Sequence, residues 1–105
     1  MDLERKIKKI EWAVQEFARR KYNCRDVFSF GATDIDPKHL AIWITTITDN
    51  QRDTIKNDND FKESVRDILR ENDYPQDAIP FVGIAFESEE TVKRDFDGNW
   101  WYAVK

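Results

Sequence analysis

Hydrophobic residues recur near the start of the chain with the period of an α-helix. Five apolar side chains are separated by four, three, four and three positions: Leu3, Ile7, Ile10, Val14 and Phe17. This spacing places them in one stripe and predicts a helix from about residue 2 to residue 22. Trp12 lies nine residues after the first of them, which is about 180° around the helix. We therefore expect Trp12 to face outward, opposite the apolar stripe.

Two strands are predicted next. Residues 26–32 alternate, with Phe28 and Phe30 on one side of the segment, which is the period of a half-buried strand. Residues 39–48, HLAIWITTIT, are rich in β-branched side chains and favour a central strand. The intervening TDIDPK has the composition of a turn. We expect the two strands to pair as a hairpin.

A second helix follows a polar segment. Residues 49–60, DNQRDTIKNDND, form a polar connection with room for a short helical turn. Asp60 and Glu63 have the spacing of a capping box and open the helix. Its stripe consists of four apolar residues at helical spacing: Phe61, Val65, Ile68 and Leu69. The helix should end near Asn72, because two prolines follow.

The last third of the chain predicts three further strands. These are PFVGIAFES, then ETVKRDF, then NWWYAVK, with Asp97 and Gly98 as a type I′ turn between the last two. The element order is then α-β-β-α-β-β-β within one domain, residues 1–105. We expect an α+β two-layer sandwich, in which two helices pack on one face of an antiparallel or mixed sheet.

The tryptophans do not all fit into one core. The more apolar face of each strand is assigned to the core, and these residues occupy it: Phe28, Phe30, Leu40, Ile42, Ile44, Val82, Ile84, Phe86, Trp100, Tyr102 and Val104. Trp43 and Trp101 then lie on the opposite face among small residues, and Trp12 lies outside the helix stripe. Exposed aromatic side chains favour a protein interface. The alternative is that helices cover both faces and bury Trp43 and Trp101 in a second core.

Charge is unevenly distributed. The chain has a net charge of −4, composed of +4 for residues 1–25 and −8 for residues 26–105. Carboxylates concentrate in two segments that we expect to steer a basic partner: Asp49, Asp53, Asp58, Asp60, and Glu87, Glu89, Glu90. The isoelectric point near 5.0 argues against nucleic acid as a partner.

The residues needed for common catalytic and metal sites are missing. Cys24 and His39 are the only cysteine and histidine, so one chain has neither a disulfide nor a Cys and His zinc site. Phosphate-binding and serine hydrolase motifs are absent. A calcium loop starting at Asp49 fails, because its sixth residue is Thr54 and its twelfth is Asp60. We expect no catalytic residue, cofactor or metal.

No apolar run resembles a signal peptide or a membrane span, and the single cysteine is compatible with a reducing compartment. We expect a cytoplasmic protein. The leading hypothesis is a small non-enzymatic protein-binding domain, for example an acidic inhibitor or immunity-type protein that covers a basic partner, with Trp12, Trp43 and Trp101 as anchors. One alternative is an enzyme or small-ligand binder that uses the sheet face as a pocket floor. A homodimer of unassigned function is the other.

Overall fold

A computed structural model of the chain describes residues 3–104. Met1, Asp2 and Lys105, and with them the ends of the predicted first helix and last strand, lie outside the described residues. The described part is a mixture of helices and strands, which confirms an α+β chain. Its elements are α1 (Leu3–Tyr22), β1 (Val27–Phe30), β2 (Ala41–Thr46), α2 (Asp49–Lys56), α3 (Asn59–Glu71), β3 (Gly83–Ser88), α4 (Glu89–Phe96) and α5 (Trp100–Ala103).

The three strands form one mixed sheet in the order β1-β2-β3. Strand β1 runs antiparallel to β2, with Phe28 opposite Trp43, so the predicted hairpin is confirmed. Strand β3 runs parallel to β2, with Ala85 beside Trp43. A parallel neighbour requires a crossover, and helices α2 and α3 form it.

The hydrophobic core lies between one face of the sheet and the helices. Ile42 and Ile44 of β2 are fully buried, and Ile84 and Phe86 are beside them in register. Helices α1, α2 and α3 contribute seven further core side chains: Ile10, Val14, Ala18, Ile55, Phe61, Val65 and Leu69. The segments between the elements contribute Cys24, Leu40, Tyr74, Ala78, Ile79 and Val82. Each buried Val, Ile, Leu or Phe side chain among them stabilises the fold by about 1.5–3 kcal/mol through removal from water.

Helices α1 and α3 pack antiparallel on this core. Near the start of α1, Lys6 Nζ donates a hydrogen bond of 2.9 Å to the carbonyl of Asp73, beyond the end of α3. Near its end, the Tyr22 hydroxyl donates to the Asp58 carboxylate before the start of α3. Asp58, rather than the predicted Asp60, caps α3, and it accepts the Phe61 N–H at 2.9 Å. The cap lies two residues earlier because Asp58 is the last residue with extended backbone geometry.

Residues 49–56 form the two-turn helix α2, which is more than the short turn expected within a polar connection. Thr48 caps it and accepts the Gln51 N–H at 3.1 Å. Ile55 enters the core, although the segment has little other apolar content. One buried side chain and a good N-cap are therefore sufficient to form this helix, although its sequence has no helical hydrophobic period.

The prediction that residues 90–96 form a strand is wrong, because they belong to helix α4. Ser88 caps α4, and its hydroxyl oxygen accepts the Thr91 N–H at 3.0 Å. Glu89 and Glu90 occupy the first turn and Lys93 and Arg94 the last, so both charged ends complement the helix dipole.

The predicted turn at Asp97 and Gly98, and the strand after it, are also wrong. Asp97 and Gly98 have φ values of 52° and 80° and end helix α4 in left-handed conformation. A type I′ turn needs the same positive φ at both residues, so the Asp-Gly pair fits either structure. Asn99 then caps the short helix α5 and accepts the Tyr102 N–H at 3.4 Å. The sheet consequently has three strands in the described residues, instead of five.

The face assignment of β1 requires a correction as well. Val27 and Ser29, instead of Phe28 and Phe30, lie beside Ile44 and Ile42 on the core side. The Ser29 hydroxyl donates a 2.5 Å hydrogen bond to Glu11 of α1, which places this side of β1 under the helices. The two phenylalanines therefore lie on the opposite face. The core faces predicted for β2 and β3 are confirmed.

None of the helices within residues 3–104 combines the length and apolar character that crossing a membrane requires.

Two glycines at the sheet make a matched test of this backbone. Gly31 follows β1 with φ of 131°, and a Cβ there would lie 2.1 Å from the carbonyl oxygen of His39. Gly83 has no positive φ, and a Cβ there would lie 3.6 Å from the Ala41 Cβ, an ordinary contact. We expect Gly31→Ala to lower the free energy of unfolding by at least about 2 kcal/mol, and Gly83→Ala to change it little. Urea denaturation of both variants measures this, and equal effects would contradict the geometry.

Candidate protein-binding surface

The face of the sheet opposite the core is apolar and accessible. Strand alternation and register place six residues on it, which we call the aromatic face: Phe28, Phe30, Ala41, Trp43, Gly83 and Ala85. They form two rows across the three strands. One row is Phe28, Trp43 and Ala85, and the other is Phe30, Ala41 and Gly83.

Large rings on this face stand beside small residues. Phe28 and Phe30 contact each other at 5.3 Å between ring centroids, and Phe30 is 40% exposed. Gly83 is exposed, and Ala41, Trp43 and Ala85 are partly exposed. The side of the face formed by β3 is therefore flat, and it is bordered by the aromatic rings of β1 and β2. A solvent-facing sheet ordinarily presents polar side chains, so this face has the composition of a surface that another molecule covers.

Helix α5 contacts one end of the aromatic face through Trp100. Its ring lies 6.2 Å from that of Phe28, at an interplanar angle of 83°. Trp100 is partly buried, whereas Trp101 is 63% exposed. The two adjacent tryptophans thus have different environments because they are on a short helix, one against the sheet and one toward solvent. The alternative of a second core that buries Trp43 and Trp101 is not observed, because Trp43 is partly exposed and Trp101 is largely exposed.

Acidic residues border the same end. Asp26 lies beside Thr45, since the Thr45 N–H donates to the Asp26 carbonyl at 2.8 Å and the Asp26 N–H donates to the Thr45 hydroxyl oxygen at 2.8 Å. Glu87 follows on the other side of Thr45 in the β2 and β3 register. By strand alternation, Asp26 and Glu87 extend the aromatic face with a polar row. This row and the two rows of the aromatic face form a continuous surface.

A hydrogen-bonded network surrounds Asp49, where the parallel strands β2 and β3 end. One Asp49 carboxylate oxygen accepts the Ser88 and Thr91 hydroxyls, each at 2.5 Å, and the other accepts Arg94 at 2.9 Å. In return, the Asp49 N–H donates to Glu90 at 3.0 Å. Helices α2 and α4 therefore supply carboxylates to each other's N-terminal turns, where negative charge is stabilised.

These contacts determine the protonation of Asp49. The Ser88 hydroxyl first, then the Thr91 hydroxyl and Arg94, hold the pKa of the Asp49 carboxyl well below its usual range. Arg52 extends the network, with Nη1 2.7 Å from Glu87 and 2.8 Å from the Thr91 hydroxyl oxygen. The hydrogen bonds of this network join α2, β3 and α4 to one another.

The predicted steering carboxylates are consequently divided. Asp49, Glu87 and Glu90 belong to the Asp49 network, and Asp58 caps α3. Glu89 pairs with Arg25 at 3.0 Å on the surface. Asp53 is exposed and 3.0 Å from Arg52, and Asp60 is exposed on α3. The role of these carboxylates in steering a partner stays a prediction. Among them, Glu87 and Glu89 lie near the aromatic face.

Trp12 lies on a different surface from Trp43. It is 67% exposed on α1, which covers the core face of the sheet, so Trp12 and the aromatic face are on opposite sides of the molecule. Trp12 borders a shallow groove between α1 and α3 whose lining includes Phe17 and Ile68. Lys8 and Lys9 lie beside the ring, as expected from helix spacing. The structure therefore separates the three predicted anchors instead of gathering them.

Sequence patterns missed Phe28, Phe30 and Trp100 as surface residues. The pattern predicts core positions for all three, because they form the more apolar side of their segments. For β1, the only opposing signal is Ser29, whose pairing with Glu11 requires the fold to be known. For Trp100, the sequence signal is indirect. Ser88 as an N-cap, followed by acidic and then basic residues, indicates that residues 89–96 form a helix, so that Trp100 does not belong to a hairpin strand.

Within residues 3–104, no group of histidine, cysteine, aspartate and glutamate side chains has the arrangement of a metal site. Cys24 is buried, and burial raises the pKa of its thiol to about 11. A thiol with that pKa is a poor nucleophile at neutral pH. No family model, curated protein or solved structure matches this chain, so its geometry is the basis for a functional proposal.

The Asp49 network predicts a pH-dependent stability. The pKa of Asp49 is lower in the folded than in the unfolded chain, where it is about 3.9. Its stabilising effect is thus complete above that value and is lost as the pH falls through it toward the folded pKa. We expect Asp49→Asn to lower the melting temperature at pH 7, and this deficit to shrink near pH 3.

The matched control is Asp53→Asn in the same helix, because Asp53 is exposed and its surface ion pair contributes little. Thermal unfolding of both variants and the parent chain between pH 7 and pH 2.5 measures the effect. A deficit for Asp49→Asn that is constant over this range would show that the network does not depend on the ionised carboxylate.

Proposed function

We propose that this chain is a small, non-enzymatic protein-binding domain whose aromatic face docks a partner protein. The accessible pair of rows formed by Phe28, Phe30 and Trp43 beside Ala41, Gly83 and Ala85 is the observation that supports the proposal. Surfaces of this kind are rare on domains that act alone. Tryptophan is also enriched among the residues that dominate binding energies.

The aromatic face has the physical properties of an interface centre. A Phe or Trp side chain buries about 150–250 Å² when it is fully covered, and aromatic contacts add to this effect. The flat side near Gly83 and Ala85 allows an apolar group of the partner to approach the backbone closely. The rings of β1 and β2 would then enclose that group and exclude water from it, which is typical of binding hot spots.

The charges favour a basic partner. Asp26 lies at the end of the aromatic face, and residues 26–105 carry a net charge of −8, although Glu87 beside it is already paired with Arg52 at 2.7 Å. Opposite charge on a partner would accelerate association and select against acidic competitors. An acidic inhibitor or immunity-type protein, which covers a basic surface of its target, combines these properties. We propose that type of domain.

The alternative of a small-ligand site on the same face has less support. Ligand sites are usually concave and bury most of the ligand surface. The aromatic face is instead flat along β3, where Gly83 is exposed. A homodimer formed through this face would bury the same aromatic rings. Light scattering across a hundredfold concentration range distinguishes a homodimer from a monomer that binds another protein.

Substitution of Phe30 tests the aromatic face directly. Phe30 is 40% exposed at the end of the edge strand β1, so Phe30→Ser removes an accessible ring of the aromatic face. We expect a protein that the parent chain captures from its native lysate to bind Phe30→Ser at least tenfold more weakly, as for loss of an aromatic anchor. Quantitative pull-down followed by calorimetry with the purified partner measures the change.

Trp12→Ser is the matched control, since Trp12 is exposed on the opposite side of the molecule. It should bind the same partner with unchanged affinity. Loss of binding with Trp12→Ser but not with Phe30→Ser would contradict the proposal and move the interface to the groove between α1 and α3.

A further inference from the structure

A cavity of about 340 Å³ lies at the acidic end of the aromatic face. It is formed by β1, the end of β2, the start of α4 and helix α5. Its lining consists of two aromatic, two acidic and two other side chains: Phe28, Trp100, Asp26, Glu89, Val27 and Thr45. The aromatic and acidic groups converge on one volume, although they come from distant parts of the sequence.

The two rings form perpendicular walls of this cavity. Phe28 and Trp100 have an interplanar angle of 83° and a centroid separation of 6.2 Å. A cation is attracted to the face of such rings when it lies within about 6 Å of their centroids, and tryptophan gives the strongest attraction. Both rings line the cavity, so a cation bound in it lies beside aromatic surface on two sides.

Asp26 supplies a carboxylate to the corner. Two backbone contacts of 2.8 Å with Thr45 hold its main chain. Its carboxylate has no hydrogen bond or ion pair with any residue in the described part of the chain. Glu89 supplies the second carboxylate, which Arg25 contacts at 3.0 Å. That pair is exposed on both sides, so it is weak and leaves Glu89 available to a second donor.

We propose that the Asp26, Phe28, Glu89 and Trp100 side chains form an arginine seat, which binds the guanidinium of an arginine on the partner protein. A guanidinium is planar and weakly hydrated, so it stacks on an aromatic ring while it donates two parallel hydrogen bonds to a carboxylate. The lining of the cavity contains both kinds of group, aromatic rings and carboxylates. The ammonium group of a lysine cannot stack on a ring in this way, and a neutral side chain has no positive charge for Asp26 and Glu89 to attract. Both should therefore bind more weakly than a guanidinium.

This inference rests on the proposed function and makes it more specific. The arginine seat adjoins the aromatic face at Phe28, so one partner surface would place an apolar group beside Trp43 and an arginine beside Asp26. The inference therefore predicts where the positive charge of the partner lies: an arginine of the partner contacts the acidic end of the aromatic face.

The test uses the isolated side chain as the probe. Nα-acetyl-arginine-N-methylamide is titrated into the full chain at constant ionic strength, with the citrulline and lysine counterparts as comparisons. Citrulline has nearly the same shape as arginine without the charge. We expect saturable NMR shifts of the Trp100 indole N–H and the Asp26 and Phe28 amides with arginine, and at least tenfold weaker binding of citrulline and lysine.

Variants connect this binding to the seat. Asp26→Asn should weaken arginine binding at least fivefold. Trp100→Leu should have the same effect, measured from the NMR shifts of the Asp26 and Phe28 amides because this variant has no Trp100 indole signal. Asp34→Asn and Trp12→Leu are the matched controls, since both side chains are exposed away from the cavity lining. They should leave the affinity unchanged. Melting temperatures confirm that each variant is folded.

The outcomes separate this inference from the proposed function. Equal binding of arginine and citrulline, or full binding by Asp26→Asn, would overturn the arginine seat. If the partner nevertheless depends on Phe30, the aromatic face still binds protein. Arginine binding that the variants abolish, without any effect of Phe30→Ser on the partner, would support the seat and reject the aromatic face as the docking surface.

Discussion

Strand β2 is hydrogen-bonded on both sides, and the alternation of its side chains determines the two faces of the molecule. Ile42 and Ile44 lie beneath the helices, and Trp43 between them lies on the other face. A one-residue shift in register would exchange these faces and bury a tryptophan where two isoleucines now pack. The core with α1 and α3, and the accessible aromatic face, are therefore two consequences of the same alternation.

Most of the core-forming elements could be predicted from the sequence, because their hydrophobic periods are strong. Helix α1, the hairpin of β1 and β2, helix α3 and strand β3 depend on repeated apolar residues. Helices α4 and α5 depend on caps instead, at Ser88 and Asn99, and have few buried residues. Periodicity is weak in such short helices, and the positive φ values of Asp97 and Gly98 are compatible with a hairpin turn as well as a helix end.

The candidate surface was only partly predictable, for a different reason. Trp43 was placed correctly, because Ile42 and Ile44 leave it one possible face. Phe28 and Phe30 were not, because the more apolar side of a strand is assigned to the core when no partner is known. In β1 this rule fails, since Ser29 is held beneath α1 by Glu11 and both phenylalanines take the accessible side. An accessible apolar face violates the usual pattern of a solvent-facing sheet.

The polar network and the aromatic face are connected through helix α4. Asp49 accepts hydrogen bonds from Ser88 and Thr91, and thereby fixes the first turn of α4 against the start of α2. Helix α4 leads to α5 after the two left-handed residues, so its direction determines where Trp100 meets Phe28. The carboxylate at residue 49 thus acts through packing. It supports the corner of rings beside Asp26, although it is not itself part of the candidate binding surface.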